Sequence, residues 1–65
     1  MDTGTVKFFN EIKRFGFIAG DDGKDYFIHE SGLKAGVSIT EGDRISFEIL
    51  ASDRGPRADK VEKLL

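Results

Sequence analysis

Sixty-five residues with no cysteine, one histidine and one proline allow a single small domain, residues 1–65. They exclude disulfide frameworks, thiolate nucleophiles and Cys-rich or multi-His metal centres. Ten Lys and Arg against 12 Asp and Glu leave a net charge of −2, unlike a basic histone-like chain or an acidic tail.

Hydrophobic residues make up 38% of the chain, yet six Phe and one Tyr are too many rings for a disordered segment. The start, MDTGTVK, lacks the features of a signal peptide, and no apolar run approaches a membrane span. A cytoplasmic protein with no membrane partner is expected. Charge is uneven: residues 1–18 carry +1, residues 19–43 carry −4 and residues 44–65 carry +1. By itself this is the pattern of solvated faces.

Turn chemistry at Asp22-Gly23, Glu41-Gly42-Asp43 and Asp53-Arg54-Gly55-Pro56 separates short runs rich in Val, Ile, Phe and Tyr. Strands are predicted over residues 3–10, 15–19, 25–29, 44–50 and 57–63. In the first, Phe8 and Phe9 are adjacent, so only one can face outward unless the strand is bulged. Parity does not decide between them. In the second, Phe15 and Phe17 share a face that continues back to Lys13, which points the pair outward. In the third, Asp25, Phe27 and His29 share a face. An unpaired buried carboxylate is too costly for so small a core, so Phe27 also faces solvent. The connection from Glu30 to Asp43 has room for one helical turn around Ser31-Gly32-Leu33. The fourth strand alternates, with Ile45, Phe47 and Ile49 inward and Arg44, Ser46 and Glu48 outward. On the fifth, Arg57, Lys60 and Lys63 read as ordinary surface charge. Evenly spaced short strands without helical periodicity predict a closed or nearly closed antiparallel barrel.

Three outward Phe rings on neighbouring strands form a patch that marks a binding surface. Lys7, Phe8, Lys13, Arg14, Phe15 and Phe17 fall within eleven residues. Rings stack on bases and cations follow a phosphate backbone, so this interleaving suits single-stranded nucleic acid. An SH3-like barrel binding a proline-rich peptide through the same patch is the alternative, but such a groove has no need of the cations. A fragment of a larger RNA-binding protein is a third; the start at Met1 favours a complete chain. His29 has no nucleophile or second carboxylate placed to make it catalytic, so no enzyme and no small-molecule substrate are expected. Asp21, Asp22 and Asp25 lack calcium-loop spacing, so no metal is expected either.

The segment Lys13-Arg14-Phe15-Gly16-Phe17-Ile18 follows the RNA-recognition signature of cation, Gly, aromatic, small, aromatic, aliphatic, with Arg in the second place. Val6-Lys7-Phe8-Phe9-Asn10, Tyr26-Phe27-Ile28-His29, Gly4-Thr5-Val6-Lys7, Glu41-Gly42-Asp43 and Gly55-Pro56 accompany it. Together they resemble the cold-shock domain family, essentially end to end. The resemblance implies an all-β, five-stranded antiparallel oligonucleotide-binding (OB-fold) barrel without cofactors. It implies a monomer that binds single-stranded RNA and DNA on its first three strands and acts as an RNA chaperone in stress. Bases would stack on Phe8, Phe15, Phe17, Phe27 and His29, with polar contacts from Lys7, Lys13, Asp25 and Arg54. Four positions depart from the family pattern: Phe8 replaces Trp, Glu30 replaces an aromatic, Arg14 replaces Gly, and a shorter loop over residues 33–41 carries Val37 in place of Phe. Fewer rings imply weaker binding, and Arg14 is expected to add a compensating cation at the rim.

Overall fold

In the computed structural model, which describes residues 2–53 and 55–64, the first three strands form an antiparallel meander. They are β1 (Asp2–Asn10), β2 (Phe15–Gly20) and β3 (Asp25–His29). A single 3-10 turn over Glu30–Gly32 follows, then a long connection, β4 (Arg44–Leu50) and β5 (Arg57–Lys63). The predicted strands are all present, with β1 beginning one residue earlier and β2 ending one residue later. Asn10 shapes the β1–β2 turn, because its side-chain oxygen accepts the backbone N–H groups of Ile12 and Lys13 at 3.0 and 2.9 Å. In the β2–β3 turn the Asp22 carboxylate accepts the Lys24 N–H at 2.9 Å, and Gly23 takes a φ of 85°.

The sheet closes into a barrel in the order β1-β2-β3-β5-β4, with β4 returning to β1. One contact departs from the wholly antiparallel expectation: β3 and β5 run parallel. The reason is geometrical, since a closed ring of five strands cannot alternate direction at every contact. This seam is thin. Phe27 lies opposite Arg57, and the contact is extended by a bridge between Leu33 and Val61.

Val6, Ile18, Tyr26, Ile28, Ile39, Ile45, Phe47, Ala58 and Val61 fill the interior, and none of the described polar or charged residues is buried. Each large apolar side chain so buried contributes about 1.5–3 kcal/mol. Ile39 comes from the long connection, and Leu33 and Val37 pack against the core, which ties that segment to the barrel. Ile49 corrects the alternation expected for β4, being 38% exposed where Ile45 and Phe47 are buried. The β4–β5 register shifts between Ser46 and Glu48, with Lys60 at φ 50° on the bulged strand. Past this bulge Ile49 pairs with buried Ala58 yet keeps part of its own side chain in solvent. Among the described residues no helix is long and apolar enough to cross a membrane.

Candidate nucleic-acid interface

The outer face of β1–β3 is built by parity and one bulge. On β2, Gly16 and Ile18 point inward, and on β3 so do Tyr26 and Ile28, which leaves Phe15, Phe17 and Phe27 half-buried on the outside. On β1 the register shifts between Val6 and Phe8. After buried Val6 the bulge exposes Lys7 and Phe8 together, and Phe9 turns to pack against the core. The choice between Phe8 and Phe9 therefore falls to Phe8, which is 43% exposed.

Phe8, Phe17 and Phe27 occupy one cross-strand row. Ring centroids are 5.7 Å apart between Phe8 and Phe17 and 5.7 Å apart between Phe17 and Phe27. Phe15 stacks beside the row, 5.9 Å from Phe27, and lies opposite His29. Gly16 makes this spacing possible. A Cβ there would sit 2.1 Å from the Phe8 carbonyl oxygen and 2.8 Å from the Phe9 Cα, so any side chain would force β2 away from β1. His29 Nδ1 accepts the Ser31 backbone N–H at 3.2 Å and lies 3.1 Å from the Ser31 hydroxyl.

The structure brings Lys7 and Asp25 together as an ion pair of 3.2 Å that reaches from β1 over β2 to β3. Lys13 is exposed on the β1–β2 turn and, among the described residues, forms no ion pair. Arg14 does not stand free at the rim as expected. Its Nε donates to Glu30 at 2.6 Å, and its guanidinium lies 5.8 Å from the centre of the Phe9 ring. Arg54 lies outside the described residues.

Below this face the β2–β3 turn is fastened to the barrel. Arg44 grips Asp21 with two hydrogen bonds of 2.8 and 2.7 Å, and the Thr3 hydroxyl donates to the same carboxylate. These contacts hold the Asp21 carboxyl far below the usual carboxylate range, the Arg44 bonds first. The Tyr26 hydroxyl donates to Asp22; that bond lowers the Asp22 pKa and, ahead of burial, pushes Tyr26 up to about 12.

One group of residues passed over in the sequence lies at the edge of the face. Ser31, Ser52, Asp53 and Arg57 line a pocket shared with Phe27 and His29. Its only local signal is the position of Arg57 beside the Gly-Pro turn, because the parallel pairing that sets Arg57 next to Phe27 joins residues distant in sequence.

Residues 2–64 match the family model described as the 'Cold-shock' DNA-binding domain. The chain is 47% identical to the cold shock-like protein CspLB of Listeria monocytogenes over 98% of its own length and all of the relative's. It is 44% identical to cold shock protein CspD of Bacillus subtilis, over 98% of this chain and all of that one. Cold shock protein 1 of Lactiplantibacillus plantarum is also 44% identical, over 94% of this chain and 96% of the relative.

Proposed function

The chain belongs to the cold-shock DNA-binding domain family, and from that premise we propose that residues 1–65 form a single, monomeric cold-shock domain that binds single-stranded RNA and DNA on the β1–β3 face. Bases stack on Phe8, Phe15, Phe17, Phe27 and His29. Lys7, Lys13, Asp25 and Arg54 supply polar contacts along the strand. The observation that carries this reading is the row Phe8–Phe17–Phe27, set at 5.7 Å intervals on the outside of a barrel whose core is filled without it. Rings held open to solvent at that spacing offer π-faces to any unpaired base, each worth about 1–3 kcal/mol. The same energy is denied to paired bases, whose faces are hidden in the helix. Binding therefore draws nucleic acid toward its unpaired state with little regard to sequence, which is the action of an RNA chaperone.

Fluorescence anisotropy with labelled oligo-dT, oligo-U and a duplex of equal length tests the proposal. Single strands are expected to bind at least about tenfold more tightly than duplex, the effect of one stacked base. Equal affinities in one buffer overturn the assignment.

A further inference from the structure

At the edge of the aromatic face, a pocket of about 350 Å³ opens between Phe27 and His29 of β3, Ser31 of the 3-10 turn, Ser52 and Asp53 of the β4–β5 connection, and Arg57. Its hydroxyls are already engaged. Ser31 Oγ lies 3.1 Å from His29 Nδ1, and the Ser52 hydroxyl donates to the Gly55 carbonyl. The charged groups differ. Among the described residues, neither Asp53 nor Arg57 has a side-chain hydrogen-bond or ion-pair partner, although both line the same pocket. A carboxylate and a guanidinium that share a pocket without meeting leave a gap for a ligand carrying both donors and acceptors.

We propose that this pocket reads a guanine base of the bound strand. The proposal rests on the single-strand reading of the aromatic face and adds selectivity at one edge of it. Guanine alone offers a carboxylate two adjacent donors, N1–H and the N2 amino group, with the O6 and N7 acceptors beside them for an arginine. Adenine and cytosine offer Asp53 only one amino group. Uracil and thymine offer a single N–H between two carbonyls. The Phe27 and His29 rings form the apolar wall against which the base plane lies, and the β3–β5 seam fixes Arg57 next to Phe27.

The test is a series of short labelled oligo-dT strands carrying one dG, dA or dC moved stepwise along the strand. They are titrated against the wild-type protein and the Asp53→Asn, Arg57→Ala and Phe17→Ala variants, with thermal unfolding of each variant as the check on folding. At one position dG is expected to bind about tenfold more tightly than the other bases, as a bidentate contact provides. That ratio is expected to fall toward unity in both Asp53→Asn and Arg57→Ala. No dG preference at any position, or a preference that survives both substitutions, overturns the proposal. So does an Arg57→Ala protein weakened equally for every strand with a shallower salt dependence, which assigns Arg57 to a phosphate. Failure of the underlying reading looks different: oligo-dT itself does not bind, or binds Phe17→Ala as tightly as wild type.

Discussion

Phe47 packs against Tyr26, ring centroids 5.4 Å apart, with no exposed surface, whereas Phe17 keeps part of its ring in solvent between Phe8 and Phe27. The same side chain does different work on the two sides of the sheet. Truncating Phe47 removes a core ring and leaves a cavity, so Phe47→Ala is expected to cost about 3–5 kcal/mol of folding stability. Phe15→Ala, Phe17→Ala and Phe27→Ala each forfeit a stacking platform. They are expected to weaken single-strand binding by about 1–3 kcal/mol, with a smaller loss of stability than Phe47→Ala. Urea unfolding and anisotropy titration on the same samples separate the two. A Phe17→Ala protein that unfolds as readily as Phe47→Ala would make the ring row structural.

The β1–β2 turn and the 3-10 turn explain one another. Arg14 stands at φ 61°, in the left-handed region that favours glycine, and meets Glu30 there. The Glu30 N–H donates to the Arg14 carbonyl at 3.0 Å, while the Arg14 Nε donates to the Glu30 carboxylate at 2.6 Å. The Arg14 charge is thereby neutralised on the protein, and Lys7 is likewise paired with Asp25. With few cations left unpaired among the described residues, the salt slope of single-strand binding is expected to be shallow, about −1 to −2 at about −0.7 per neutralised phosphate. Glu30→Gln releases Arg14 to the phosphate backbone. It is expected to tighten binding at low salt and to steepen the slope by about 0.7, read from log K against log salt concentration. An unchanged slope would mean that Arg14 does not reach the strand.

Across the whole molecule, what the sequence reveals divides by range. Strand positions and the outward rings of β2 and β3 are legible because parity acts between neighbours, and Asp25 on the face of Phe27 marks the wet side. Phe8 against Phe9 is not, since a bulge at Lys7 resets parity from a pairing with β2. Nor is the parallel β3–β5 seam, which follows from closing an odd number of strands. The Asp21–Arg44 clasp is equally hidden, joining the β2–β3 turn to β4 with Thr3 of β1 in attendance. That clasp makes barrel closure depend on pH. Asp21, held down chiefly by Arg44, Asp22, held down by Tyr26, and Asp43, held down by the Thr40 N–H, all ionise below their unfolded values of about 4. The unfolded chain binds more protons there, so their stabilisation is present above about pH 4 and is lost as pH falls through the folded values. Tyr26 runs the other way: its pKa is pushed up to about 12 from an unfolded value of about 10. Its contribution is complete below about pH 10 and disappears as pH rises through about 12. The urea midpoint is therefore expected to be flat near neutrality and to fall on both sides. Asp21→Asn should lower it at neutral pH and narrow the gap between neutral and acid midpoints. Tyr26→Phe should flatten the alkaline limb and leave the acid limb to Asp21 and Asp43. An Asp21→Asn protein with the wild-type acid limb would show that the barrel closes without the clasp.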